Sequence, residues 1–459
     1  MQTKTTNLKS KVKYFTIALS ITFFMFSCSQ DDLGFIGEYD VPTEIPSIEP
    51  VIPTTRVVSE DQAEAFANMA IRAILNHQNS FGISVDSNDT ERAASQEGFA
   101  TRSADSRATQ RVVSEVLPIV TEDGITVMHA VNFADNLGFM ILSADKESST
   151  LMLQFSETYN FNPAVLIEDS PMGQWIRGAK EMIAEEIQQG ITDKTREGYQ
   201  LWGNITGQNE GVEIEIALVS AADVTEPMTR ARRRYSRNLQ NIPASHWIAN
   251  FRWGQGPGYN ENAPLINGRR ALAGCPAVAI GLIANHWMFP TRFNYFAMPQ
   301  VVTARTPNAV SIMFRDIADH IPGYIWGIHA SGATPANITT GLHNLGFRGA
   351  RMRPYNFIIA YSEIRHRRPI LLAGYEVDRW GNLHSGHIWN ADGYWEIVWQ
   401  VTQRFLGITI NRWYEFECTL FMNWGWDGQH NGWVNEASWP RLRHNRLMWY
   451  NIYPSSWWW

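Results

Sequence analysis

Cysteine is scarce in this chain: three in 459 residues, at Cys28, Cys275 and Cys418. Thiols so far apart build no disulfide framework, although a Cys275–Cys418 bridge stays open on paper. No Cys-x-x-Cys pair and no Cys/His cluster has zinc-ligand spacing, so neither a metal nor another cofactor is expected. Long apolar runs are missing too. One near the start falls short of a membrane span, and nothing after it approaches the roughly 18 residues that a spanning helix needs. Lysine is absent after residue 235. The arginines there are scattered along the chain, and this argues against a nucleic-acid partner.

The start of the chain reads as an export signal. Lys4, Lys9, Lys11 and Lys13 precede an apolar run from Tyr14 to Phe26, followed by Ser27-Cys28 and the acidic pair Asp31-Asp32. The order basic, apolar, small is that of a secretory signal. A cysteine directly after the small residue resembles a bacterial lipoprotein signal, in which Cys28 becomes the lipidated first residue. The resemblance implies a signal over 1–27, a membrane partner through the lipid on Cys28, and an exported protein at the outer membrane or cell surface. Residues 28–55, with repeated Pro, Ile and Thr, suit an extended tether.

Composition breaks near residue 235. Seventeen of the 19 Trp lie beyond it. From 236 to 459 there are 19 Arg against 12 Asp and Glu; from 1 to 235, 19 basic residues face 33 acidic ones. Opposite net charges favour association of the two parts. Between them stands Thr229-Arg230-Ala231-Arg232-Arg233-Arg234-Tyr235, which reads as an exposed processing linker over 229–235.

The first part, 56–228, reads as α+β. Ala63, Phe66, Ala67, Ala70, Ile71, Ile74 and Leu75 recur at helical spacing over 60–76. Residues 84–111 are rich in Ser, Ala, Asp and Arg with few large apolar groups, and read as a loop or disordered insertion. Residues 124–143 read as a hairpin turning at Asp135-Asn136, and helical spacing returns over 172–189. His129, alone in a strand, reads as structural.

The second part, 236–459, holds the chemistry. Cys275 stands in Ala-Gly-Cys-Pro-Ala-Val-Ala-Ile, at the mouth of an apolar helix. Pro276 suits a first turn, and the helix N-terminus favours a thiolate. His387 follows Gly386 at the start of an alternating strand. Cys418 to Asn423 forms another strand, ending in Trp424-Gly425-Trp426-Asp427-Gly428. A thiol, an imidazole, a group to orient the ring and donors for an oxyanion are the parts of a cysteine hydrolase.

In order, Trp253-Gly-Gln255-Gly-Pro-Gly-Tyr259-Asn260, Gly274-Cys275, Gly386-His387 and Asn423-Trp424-Gly425-Trp426 resemble the streptopain family of papain-fold cysteine peptidases. Gly138-Phe139 through Ser143-Ala144-Asp145 resembles that family's propeptide signature, and Tyr450 to Pro454 its C-terminal end. The resemblance implies a papain-like, two-subdomain α+β peptidase preceded by an α+β propeptide domain. It implies Cys275 as nucleophile, His387 as its proton partner, Gln255 as oxyanion donor, and Asn423 or Trp424 orienting the ring, with Trp426 on the same wall. It also implies a zymogen that takes protein or peptide substrates. Its own propeptide is the intramolecular inhibitor, lying over the cleft until a cut at Arg230, Arg232, Arg233 or Arg234. Two departures stand out: Pro276 directly after the cysteine, and His286 near the helix end, too far along to serve as base. His384 is a nearer second imidazole. A papain-fold amidase or acyltransferase, or a catalytically dead binding scaffold, are the alternative readings.

Overall fold

Why a chain broken so sharply in composition folds as it does is seen in its strand pairing. The computed structural model describes residues 56–80, 111–148, 150–166, 170–188, 201–207, 211–220, 224, 241–377, 383–436 and 444–455. The export signal, the tether, Cys28, the arginines 230–234 and most of the 84–111 insertion lie outside the described residues. Before the arginine run come α1 (Glu60–Ser80), β1 (Val113–Val120), β2 (Thr126–Phe133), β3 (Phe139–Ser143), β4 (Met152–Ser156), α2 (Pro171–Gln188) and β5 (Val212–Leu218). After it come α3 (His246–Ala249), a small ribbon of β6 (Leu265–Ile266) and β7 (Arg269–Arg270), α4 (Cys275–Trp287), α5 (Ala309–His320) and α6 (Pro335–Asn344). They are followed by β8 (Arg351–Pro354), α7 (Phe357–Arg365), β9 (Ile370–Val377), β10 (Leu383–Phe405), β11 (Ile408–Asn423), β12 (Gly432–Asn435) and β13 (His444–Tyr450).

Local chemistry accounts for the first elements. Ser59 and Gln62 bond reciprocally, each backbone N–H to the other's side chain, and so close the start of α1. Glu60 and Asp61 add negative charge to its first turn. Of the apolar face anticipated from spacing, Ala63, Phe66, Ala67, Ala70, Ile71 and Ile74 are out of water, and Leu75 is half-buried at its edge. The hairpin is present as β2 and β3, with Val131 opposite Met140. Asp135 and Asn136 turn it, both left-handed at φ 57°, a conformation that Asp and Asn tolerate better than most residues. His129 is structural: its Nε2 lies 2.7 Å from the Val58 carbonyl, and burial lowers its pKa.

Ten strands run in the order β1-β2-β3-β4-β12-β11-β10-β9-β13-β8, and β5 adds to the far half of β10. Every recorded pairing is antiparallel. The fold is therefore mixed α/β around one large antiparallel sheet. The sheet does not stop at residues 229–235. It passes from the first part to the second where Phe155 faces Trp433 and Gln154 faces Val434, and again where β5 pairs with β10 from Leu218–Trp399 to Val212–Phe405.

Three apolar cores follow. The first belongs to the second part alone and packs α4 against α5, with Trp253, Phe314 and Trp449. The other two are shared. One joins Val127, Phe139 and Trp175 to Trp389, Tyr394 and Trp424. The other joins the α1 face to Trp395, Ile397, Trp399, Val401 and Trp413.

Asp145, within the Gly138–Asp145 stretch, is tied into this body by charge. Arg56 grips it with two bonds of 2.8 Å, and the pair is 3% and 1% exposed. Glu147 lies 3.4 Å from the same guanidinium and its side chain is equally buried, so loss of Asp145 leaves Arg56 one carboxylate and costs two charge-assisted hydrogen bonds rather than stranding the charge. Asp145→Ala is expected to lower unfolding stability by about 1–3 kcal/mol, read from urea denaturation of the full chain.

Candidate active site

Cys275 opens α4 with Gly274 as its N-cap, at φ 89° and ψ 143°. Two facts demand glycine there. The backbone is left-handed, and a Cβ would lie 2.2 Å from the Tyr324 hydroxyl and 2.6 Å from the Ser331 carbonyl. Because the cap has no side chain, none is spent on the first amides of the helix. Tyr324 closes this end from outside, its hydroxyl donating to the Ala273 carbonyl at 2.5 Å. Burial raises the Tyr324 pKa well above 10, so the phenol stays neutral, and a charge on Cys275 would raise it further.

The thiol is free and half-buried, packed on the first core. Burial pushes its pKa up to about 11, against hydrogen bonds from the backbone of Ile388 and from its own amide. The helix N-terminus favours a thiolate, and desolvation of the sulfur opposes it and is the larger effect, so its pKa lies above the ordinary thiol value. Ile388 adjoins His387 in sequence, so the sulfur faces the strand that carries the imidazole. A second bond holds the two elements together: Asn390 Nδ2 donates to Ala279 O of α4 at 2.9 Å.

His387 is 7% exposed. Its Nε2 lies 2.9 Å from the main-chain oxygen of Trp424. A carbonyl only accepts, so Nε2 carries the hydrogen, and in the neutral ring Nδ1 is then the basic nitrogen. Two tryptophans shield the ring. Trp389, two residues on and therefore on the same face of β10, stacks nearly parallel with centroids 6.1 Å apart. Trp426 presents itself edge-on at 6.4 Å.

Of the two neighbours expected to orient the ring, Trp424 makes the hydrogen bond to it, through its main chain. Asn423 uses its amide elsewhere: Nδ2 donates to Ile248 O and Phe251 O at 2.7 and 2.8 Å, and Oδ1 accepts from Gly425 N–H. It staples the end of β11 to the chain leading into Trp253. The loop it begins is closed by Asn431 Oδ1, which accepts from Trp424 N–H, and by the Trp424 indole, which donates to His430 O. Gly425 allows the loop to rest on α4, since a Cβ there would meet Val278 at 3.0 Å.

Gln255 is buried, and its carbonyl accepts from Ala273 N–H at 2.9 Å, two residues before the cysteine. The adjoining Trp253 carbonyl accepts from Asp427 N–H at 3.2 Å. Four separated stretches of sequence, around 255, 275, 387 and 424, thus meet in one place. The other histidine with a described side chain near the helix does not join them. His286 lies 3.3 Å from the Ser245 hydroxyl and 3.2 Å from the Arg367 carbonyl. Cys418 stands apart, accepting from the Tyr394 hydroxyl, with burial pushing its pKa to about 12. It is also free, so the Cys275–Cys418 bridge is not formed. Among the described residues no His/Cys/Asp/Glu group could hold a metal.

Sequence reasoning missed Tyr324 and Trp389. For Trp389 a signal existed, the two-residue period of a strand starting at His387. For Tyr324 there was none, because no spacing links it to position 274.

No family model matches the chain, and no curated protein matches it. Two solved structures from Prevotella intermedia are similar. One is a cysteine-to-alanine mutant fragment of prointerpain A: TM-score 0.49, 17% identity, 74% of this chain and 99% of that one covered. The other is the active wild-type interpain A cysteine protease: TM-score 0.37, 19% identity, 46% and 95% covered. Likeness this distant leaves the chemistry to be read from the residues of this chain.

The buried thiol sets a pH test. Alkylation of Cys275 by an iodoacetamide-type probe in the uncut chain is expected to be slow at pH 7 and to climb as pH rises from 9 towards 11. Cys418, higher still, lags behind at each pH. Peptide mapping of the labelled sites across the series measures both.

Proposed function

We propose that this protein is a cysteine endopeptidase acting on protein substrates and made in latent form. One observation carries the reading. A thiol at a helix N-terminus faces the strand bearing His387, and the Trp424 carbonyl fixes that ring with Nδ1 as its base. Proton transfer from sulfur to Nδ1 makes an ion pair that leaves the sulfur nucleophilic. The sulfur attacks the substrate carbonyl carbon. The oxyanion is met by the Cys275 N–H, left uncapped by Gly274, and by the side-chain amide of Gln255. The imidazolium then protonates the leaving amine, and water, deprotonated by the neutral ring, cleaves the thioester. Trp389 and Trp426 keep bulk water from the imidazole.

Burial of the thiol, which disfavours its charged form, is in keeping with a latent state. The restraint lies in the first part of the chain, and the arginines 230–234 are the site where it is cut. The lipoprotein-type signal puts the enzyme outside the cytoplasm, anchored through Cys28.

Cleavage of a fluorogenic peptide library or of casein by the processed protein tests this. Cys275→Ala is expected to abolish cleavage. His387→Ala lowers kcat about 10²–10⁴-fold. Gln255→Ala lowers kcat about 10²–10³-fold with KM little changed, as fits a group acting only on the oxyanion. Full activity of Cys275→Ala would overturn the reading.

A further inference from the structure

We infer that the sheet edge at β8, together with the end of α7, is a docking surface for an anionic lipid bilayer. Arginines hold it there, joined by the tryptophans that follow Ser455. This adds a second, non-covalent membrane contact to the lipid proposed at Cys28. It rests on the export reading, but not on the peptidase chemistry.

Arginines spread along the sequence are gathered here by the fold. From 343 to 375 the chain has six Arg and two His against one acidic residue, Glu363. β8 is the last strand of the sheet. Arg351 stands opposite Tyr450 and Arg353 opposite Met448, and residues directly opposite share a face. α7 packs on that face, since Met448, Tyr361 and Ile364 lie in one core. The end of α7 is tied to the same place. Glu363 accepts from Asn451 N–H and from Arg368, both at 2.8 Å. The Arg368 guanidinium lies over the Tyr453 ring, 5.4 Å from its centroid. Arg365 and Arg367 flank that turn of the chain.

The one carboxylate is spent on Arg368. Arg348, Arg351 and Arg365 are exposed, and among the described residues none of them has an ion pair. Arg353 Nε is buried with no hydrogen-bond partner among those residues. Free guanidinium groups gathered on one edge suit a surface of lipid phosphates. An apolar component stands beside them. Ile358 is 71% exposed and lies two turns before Arg365 on the same side of α7. Ser455 is pinned here: its hydroxyl accepts from Arg348 N–H at 3.0 Å and donates to Gly346 O at 2.7 Å. The sequence then runs Ser456-Trp457-Trp458-Trp459. Four residues reach at most about 14 Å, so the three indoles stay near this edge. Tryptophan favours the boundary between membrane and water. A soluble polyanion would use the arginines and leave the indoles idle; a bilayer uses both.

The edge lies at the far end of α4 from Cys275. There the Trp287 indole donates to Ile452 O at 2.7 Å, and His286 Nε2 lies 3.2 Å from Arg367 O. Cys275 opens the same helix, about 18 Å away along its axis. Docked at β8, the body rests on the bilayer by its own surface as well as by the tether. The candidate site then sits at the end of α4 that is not in contact with lipid, open to proteins in solution.

The test uses the chain from Ser29 onward, which keeps every described element and carries no lipid, in the Cys275→Ala background so that no cutting intervenes. It is mixed with phosphatidylcholine vesicles made with or without phosphatidylglycerol, and the vesicles are pelleted. Pelleting with the anionic vesicles alone is expected, weakening as salt is raised and accompanied by a blue shift of tryptophan emission. Arg348→Glu/Arg351→Glu/Arg365→Glu is expected to bind about 100-fold more weakly. Trp457→Ala/Trp458→Ala/Trp459→Ala is expected to bind about 10-fold more weakly. The second variant changes nothing before Ser455, so it decides the matter if the charge reversals unfold the chain. No pelleting, equal pelleting with neutral vesicles, or unchanged binding by either folded variant would overturn the inference. Retention on immobilised heparin without pelleting would also overturn it, in favour of a soluble polyanion. Fatty-acid labelling at Cys28 and the peptide assay with the native cysteine decide the export and enzymatic readings separately.

Discussion

The antiparallel pairing of β10 with β11 is the constraint on which the rest hangs. Its register sets Asn390 opposite Asn423, which brings the chain after Asn423 back beside His387. The Trp424 carbonyl can then meet the imidazole. A slip of one residue would turn His387 to the opposite face of the sheet and away from α4. The same hairpin runs on past the site, and its far half supplies the tryptophans that fix the first part of the chain. One pair of strands thus sets the geometry of the candidate site and the attachment of the segment before it.

Around the cysteine, two physical effects oppose each other. The helix N-terminus and the amides of Ile388 and Cys275 favour sulfur as an anion. Burial disfavours any charge, and it is the larger. The chain therefore presents assembled parts with the reactive form withheld. Burial dominates elsewhere too. It pushes Glu417 up to about 7 despite three donated hydrogen bonds, and His430 down to about 4. Since Glu417 is more easily protonated folded than unfolded, its share of stability is whole below its ordinary pKa and fades as pH rises through about 7.

Much was legible because it depended on local order. The α1 face, the turn at Asp135-Asn136 and the apolar helix after Cys275 each follow from spacing or from the conformations single residues tolerate. The residue types for thiol chemistry were readable, and so was their order. What escaped depended on long-range pairing. Asn423 looked like a ring-orienting residue, but its amide satisfies two carbonyls of the chain before Trp253, an arrangement invisible without knowing that Ile248 and Phe251 lie there. The sharp change of composition suggested separable parts; the strands ignore it, since backbone hydrogen bonds and apolar burial carry no memory of net charge.

By itself the sequence determined the ingredients: a thiol at a helix mouth, an imidazole early in a strand, an Asn-Trp pair at the end of another, and an arginine run dividing acidic from basic chain. Only the tertiary structure decided which nitrogen of His387 is the base, that burial works against charge on the Cys275 sulfur, and that the first part is woven into the second. Proton positions and desolvation are set by neighbours brought in from hundreds of residues away, and no local pattern encodes those neighbours.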